Sequence, residues 1–251
     1  FTYPEVLRHQ IAATRGDLEI NNLLGQMAQQ FGQATGRQHD LRNYLGKPNE
    51  EGKWERTKPD PHLLRDAFEP HERGSILVSA VFDAFLALYN SRVRDLFRIA
   101  TGGTGVLPAG QIHPDLANRL AEEAAATAED VLSICIRAMD YLPPVDVTFG
   151  EFLRALITAD FERSSTAGHQ NRIAFIDAFR SWGIYAPDVT TLSEESLLWR
   201  GPEPDSCLQK WLNVELSAGN DFMDRVREVL DEWRPGAPRE RVFVQAREEQ
   251  A

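Results

Sequence analysis

A helical pattern covers residues 74–100, GSILVSAVFDAFLALYNSRVRDLFRIA, and its first half is apolar on nearly every side. A helix at a protein surface carries a single apolar stripe, whereas a helix that is apolar all round has to be buried. We therefore predict that this segment is the central helix of the fold, surrounded by other elements. The glycine-rich run TGGTGVLPAG that follows is expected to end it.

The rest of the chain is also predominantly helical in pattern. Pro4 fits the first turn of a helix, Thr148 and Glu151 form a T-x-x-E capping box, and Gly183 stands where a left-handed C-terminal cap is needed. Ser165 is predicted to cap the helix before Gly183. The fold class is therefore predicted to be all-α, a multi-helix bundle. Its further helices are expected at 4–15, 18–35, 114–139, 152–161, 167–182, 194–199, 205–217 and 219–233, with a long loop at 43–62.

The chain is long enough for one large domain or two small ones, with 251 residues of which 42% are hydrophobic. We predict a helical domain over residues 1–189 and a helical C-terminal extension over 190–251. The extension ends in a short strand-like run at 242–244 that has no evident partner. The opening FTYPEVL has no initiator methionine, so we expect the chain to be a piece of a longer protein.

Composition narrows the classes of partner. A formal net charge of −11 argues against non-specific nucleic-acid binding, because a phosphate backbone would repel the chain. No apolar run is expected to reach the roughly 20 residues that span a bilayer, so no membrane partner is predicted. The two cysteines, Cys135 and Cys207, leave the redox compartment open, and a cytoplasmic location is slightly favoured.

His71 and Glu72 match the first two letters of the zinc-peptidase signature H-E-x-x-H, but Ser75 stands where the second histidine is required. Such a site needs two histidines four residues apart on one helical face, so that both point at the metal. The remaining histidines form no such pair. We therefore predict that this chain holds no catalytic zinc and binds no cofactor by itself.

Asp66 precedes His71 by five residues, at the start of the central helix. A carboxylate beside a histidine can fix its tautomer and hold it protonated, as in catalytic sites. The alternative is a capping or surface histidine with an unrelated acid nearby, and the spacing alone favours that alternative.

The stretch DAFEPHERGSILVSAVFDAFLALY resembles the segment of thermolysin-like gluzincin metallopeptidases that carries the non-ligand active-site histidine, with Asp66 and His71 on its two functional positions. QHDLRNYLGKP resembles the segment with the family's substrate-binding arginine, which falls on Arg42. Downstream, RAMDYLPP, FLRALI and AFRSWGI are similar to the closing helices of the family, in the same order. The resemblance covers roughly residues 38–185, judged by the order of elements.

The resemblance implies the C-terminal helical lobe of a zinc peptidase. His71, held cationic by Asp66, would donate to the oxyanion of the tetrahedral intermediate, and Arg42 would bind a substrate carbonyl. The zinc-binding helices of the family are absent from this chain. It would therefore be inactive alone, with zinc expected only if a missing N-terminal metal-binding half is present. The implied partners are that half, a peptide or protein substrate, and a second copy docked through an exposed apolar groove.

Two other interpretations stay open. The chain could be a non-catalytic helical domain that kept the zincin architecture for partner binding or scaffolding. It could also be an unrelated all-helical interaction module. Arg42 has an ordinary alternative as well, because a surface arginine in an ion pair contributes about 0–1 kcal/mol and needs no substrate.

Overall fold

The computed structural model describes residues 4–19, 44–48, 54–163 and 168–199. Within these ranges the fold is all-α, as predicted, apart from one antiparallel pair of two-residue strands. The elements in chain order are α1 (Pro4–Thr14), β1 (Lys47–Pro48), β2 (Trp54–Glu55), α2 (Leu63–Asp66), α3 (Pro70–Ala100), α4 (Pro114–Ala138) with a 3₁₀ turn (Met139–Tyr141), α5 (Phe149–Arg163), α6 (His169–Ser181) and α7 (Glu194–Leu197).

Helix α3 is the central helix that its apolar pattern predicted. It packs mainly against α6 and α4, and Ile76, Ala80 and Tyr89 are fully buried. It begins four residues earlier than residue 74, because Glu69 caps it: the Glu69 carboxylate accepts a hydrogen bond of 2.8 Å from the backbone N–H of Glu72.

Among the described helices, α3 alone is long and apolar enough to cross a bilayer by length and composition. This corrects the expectation that no such run exists. However, 61% of the apolar stretch is buried within the protein, and a helix buried on most sides is also what the core of a bundle requires.

The ends of α5 and α6 test the predicted caps. The capping box is confirmed, since the Thr148 N–H donates to the Glu151 carboxylate at 2.7 Å and the Glu151 N–H donates to Thr148 Oγ1 at 3.2 Å. Ser165 is not the N-cap of α6, because the helix begins at His169 with Gly168 as its cap. A side chain on Gly168 would approach Asp160 Oδ2 to 2.2 Å, so glycine fits this position.

Gly183 ends α6 in the predicted left-handed conformation, with φ of +70°. Its N–H donates to the Arg180 carbonyl at 3.0 Å, and the Ile184 N–H donates to the Phe179 carbonyl at 2.9 Å. This pair of bonds is the Schellman motif. It places Trp182, the last residue before the turn, inside the core with no exposed surface.

The chain divides into two units, residues 1–199 and 200–251. Within the first unit, the buried Leu197 and the bond from Arg154 Nε to the Leu197 carbonyl, at 3.3 Å, hold α7 against α5. The predicted helices at 18–35, 205–217 and 219–233, and the strand at 242–244, lie largely or wholly outside the described residues.

A ladder of alternating charges joins five helices. Asp160 is fully buried and pairs with Arg172 at 2.9 Å, while Arg172 Nε donates to Glu194 at 2.7 Å. Arg163 contacts the same Asp160 at 3.5 Å and a second acid, Asp130, at 3.0 Å. We call this set the ion ladder; its members are Arg92, Asp130, Arg163, Asp160, Arg172 and Glu194.

Asp130 makes the ladder sensitive to acid. Burial alone would raise the pKa of its carboxyl, but hydrogen bonds from Arg92 and Arg163 outweigh burial and hold that pKa below its usual value. A depressed folded pKa contributes stability above the unfolded pKa of about 3.9 and loses it as the pH falls through the folded pKa. Asp130→Asn should therefore flatten the fall in unfolding free energy below pH 5 in urea titrations, and so should Arg92→Met. An unchanged acid slope in Asp130→Asn would contradict this assignment.

Candidate functional site

The residues with predicted site roles lie around the start of α3. His71 is the second residue of that helix and is exposed, and Asp66 is the exposed last residue of α2. Arg42 lies outside the described residues.

Asp66 does not contact His71. Its carboxylate accepts a hydrogen bond of 3.0 Å from Arg65 Nε, and this bond to the neighbouring guanidinium lowers the pKa of the Asp66 carboxyl. Within the described part of the chain, no hydrogen bond or ion pair joins Asp66 to His71. The reason is the corner between α2 and α3, where Ala67 is extended and buried, and where Arg73 holds the backbone by donating to the Ala67 carbonyl at 3.0 Å.

Tyr44 anchors the loop that precedes α2 onto the start of α3. Its hydroxyl donates to Glu72 Oε1 at 2.6 Å, and its backbone N–H donates to Ser75 Oγ at 3.2 Å. The bond to Glu72, with burial as a second cause, raises the pKa of the Tyr44 phenol to about 12, so the hydroxyl stays protonated and remains a donor at neutral pH. One residue, Asn43, separates Tyr44 from Arg42 in the chain, and Glu72 adjoins His71.

A second anchor lies further along α3 at Asp83, whose side chain is 9% exposed. Trp182 Nε1 donates to Asp83 Oδ2 at 2.9 Å, and the Arg56 guanidinium forms an ion pair with the same carboxylate. Burial raises the pKa of the Asp83 carboxyl, and the charge of Arg56 opposes this rise. The sequence carries a signal for this site, because Asp83 is the one acid in the apolar stretch 75–89 and a buried acid needs a partner.

No described group of three or more histidine, cysteine, aspartate or glutamate side chains is arranged to hold a metal ion. Glu72, the glutamate of the incomplete H-E-x-x-H match, accepts a hydrogen bond from the Tyr44 hydroxyl. The described residues therefore do not fit a zinc site, and any catalytic metal would need ligands from elsewhere.

No protein-family model, curated protein or solved structure matches this chain. The candidate site consequently rests on its own residues. They offer an exposed imidazole in the first turn of α3, whose N-terminus is capped by the Glu69 carboxylate.

A groove with a volume of 760 Å³ lies elsewhere, along α6 and α7. Its apolar wall includes Phe161, Ile173 and Leu192, and its charged rim includes His169 and Glu194, which are 2.5 Å apart. None of the residues with predicted site roles lines this groove.

Proposed function

We propose that residues 38–185 form the C-terminal helical lobe of a thermolysin-like gluzincin and contribute the oxyanion-binding and substrate-binding side chains of a zinc metallopeptidase. The observation that carries the proposal is the hydrogen bond between Tyr44 and Glu72. It draws the segment that follows Arg42 against the first turn of α3, where His71 is exposed. Arg42 stands two positions before Tyr44 in the chain, and His71 stands one position before Glu72.

The proposed chemistry divides between these two side chains. His71 would donate an imidazole N–H to the negatively charged oxygen that develops when a peptide carbonyl is attacked. Arg42 would hold a neighbouring substrate carbonyl through its planar fork of N–H groups. Asp66 would form a hydrogen bond to His71 after breaking its ion pair with Arg65. Breaking that pair costs little free energy, because exposed ion pairs are weak in water.

Zinc in such a peptidase activates water and polarises the carbonyl. The described residues do not form its ligand set, so the proposed role of this lobe is limited to binding and orienting the peptide and to stabilising the oxyanion. The metal ligands would belong to a preceding half of the same gene product.

The pairing of Asp66 with Arg65 instead of His71 favours a second candidate. In this alternative the chain is a non-catalytic helical domain of zincin-like architecture that binds a partner protein. His71 would then be an ordinary surface residue.

The test uses the whole gene product and a set of fluorogenic peptides. We expect peptide hydrolysis that a zinc chelator abolishes and that added zinc restores. Arg42→Ala should raise KM by about tenfold, because a hydrogen bond to a charged group contributes about 1.5–3 kcal/mol.

Arg94→Ala is the matched control, since Arg94 is an exposed arginine on α3, and it should leave both kcat and KM unchanged. If the whole gene product shows no chelator-sensitive hydrolysis, or if the gene encodes no H-E-x-x-H helix, the peptidase proposal fails. Binding of a partner protein to the unmodified chain would then support the second candidate.

A further inference from the structure

The described residues between α1 and α2 contact α3 at two separate places, through Tyr44 and through Arg56. At one end, Tyr44 binds Glu72 through its hydroxyl and Ser75 through its backbone N–H. At the other end, the Arg56 guanidinium is paired with the Asp83 carboxylate. Asp83 lies eleven positions after Glu72, a distance of about 16 Å along a helix that rises 1.5 Å per residue.

Trp182 contacts both anchors. Its indole N–H donates to Asp83 Oδ2 at 2.9 Å. Its ring packs edge-on against Tyr44, with centroids 6.2 Å apart and planes inclined by 76°, which is a favourable geometry for aromatic pairs. One rigid side chain therefore contacts both Tyr44 and Asp83, the partner of Arg56.

Trp182 is itself held in place by the end of α6. The left-handed turn at Gly183 follows it directly, and the carbonyl oxygen of Pro61 lies 2.0 Å from where a Cβ on Gly183 would stand. Because a side chain does not fit there, the backbone after Trp182 packs closely against the chain that leads into α2. The indole is fully buried, so it has little freedom to move.

We propose that Trp182 is a positioning residue for the candidate site: by contacting Asp83 and Tyr44 together, it holds Tyr44 against the first turn of α3, which carries His71, and holds the Asp83 carboxylate in place for Arg56. This inference rests on the proposed function only for its catalytic consequence, since the contacts themselves need no substrate. Trp182 acts through Tyr44 and Asp83, so it is not a catalytic residue.

The contribution of the indole follows from the burial of Asp83. A buried carboxylate must have its lone pairs satisfied, and the described donors to Asp83 are the indole N–H and the Arg56 guanidinium. Removing the indole N–H leaves Arg56 as the remaining described donor, and removing part of the ring loosens the packing of Tyr44. The contacts of Tyr44 with α3 and of Arg56 with Asp83 should therefore open more often.

The first measurement is amide hydrogen exchange on the full chain. Trp182→Phe keeps an aromatic ring and removes the N–H, and it should speed exchange of the amides at residues 44–46 and 55–58 by about tenfold or more, as expected for losing a hydrogen bond to a charged group. Trp199→Phe is the matched control, because its indole stacks on Arg154 and its N–H has no hydrogen-bond partner in the described structure. The control should leave those amides unchanged.

Asp83→Asn distinguishes the effects of the two anchors, and it serves as a second variant if Trp182→Phe does not fold. It removes the charge that binds Arg56 and keeps an oxygen that accepts from Trp182, so exchange should speed up at residues 55–58 and not at 44–46. Unchanged exchange at both ends in Trp182→Phe would overturn the proposal. So would equal acceleration throughout α4 and α5, because that pattern indicates general destabilisation.

The second measurement is kinetic and separates this proposal from the proposed function. With the whole gene product, Trp182→Phe should raise KM several-fold and leave kcat within about twofold, as expected when substrate binding is loosened uniformly. If the unaltered protein hydrolyses no peptide, the proposed function fails while the exchange result still decides the role of Trp182. If exchange is unaltered, the positioning role fails whatever the activity.

Discussion

Arg172→Ala is expected to lower the free energy of unfolding by about 3–5 kcal/mol, the usual cost of removing one partner from a buried ion pair. Arg172 has 2% of its side chain exposed and is paired with Asp160, which is fully buried. Without the guanidinium, the charge of Asp160 stays in the core with Asn171 and Arg163 as its remaining described contacts. Glu194 loses its 2.7 Å bond to Arg172 Nε as well.

Urea unfolding followed by circular dichroism measures this effect through the midpoint and slope of the transition. Arg180→Ala is the matched control, because Arg180 lies on the same helix and pairs with Asp177, but both side chains are about 60% exposed. Exposed pairs contribute about 0–1 kcal/mol, so the control should stay near the original stability. Equal losses of unfolding free energy in the two variants would show that burial does not strengthen the contribution of the Arg172 ion pair to stability.

His71→Ala is expected to lower kcat of the whole gene product by about 10²–10³, the usual effect of removing one oxyanion donor. The same change should leave stability within about 0.5 kcal/mol, as for most surface substitutions, because His71 is exposed. A loss of rate without a loss of stability is the expected signature of a side chain that touches the reacting atoms.

The measurements are kcat at saturating peptide and the urea midpoint on the same preparation. His9→Ala is the control, since His9 is an exposed histidine on α1, far along the chain from α3. If His71→Ala retains full activity, the oxyanion role is wrong. If the urea midpoint of His71→Ala falls together with its kcat, the role of His71 is structural and the catalytic role is wrong.

The positions of the helices were predictable wherever the signal is local. The apolar pattern identified α3 as central, and the Thr148–Glu151 capping box and the Gly183 cap were read correctly from single residues. The Ser165 cap failed because the start of α6 is set by Gly168 packing over Asp160, a contact between two helices. A serine three residues upstream carries no information about that contact.

The candidate site was predictable only in part. The family resemblance predicts paired roles for His71 and Asp66, and the sequence could not show that Asp66 binds Arg65 instead. Tyr44 and Glu72, 28 residues apart, form the hydrogen bond that joins the chain before α2 to α3. Neither residue lies in a sequence pattern that predicts the other as its partner.

Among the described residues, the sequence by itself determined which long segments are helical, how most of them are capped, and that one of them is buried. These properties depend on residues within a turn of each other, through hydrogen bonds, caps and the 3.6-residue period. The tertiary structure alone decided which charges meet. Trp182 and Asp83 are 99 residues apart in the sequence, and Arg172 and Asp160 are 12 residues apart on two different helices. Such partners are set by which helix faces pack together. Burial then makes these contacts strong, because an ion or a donor removed from water has no other partner.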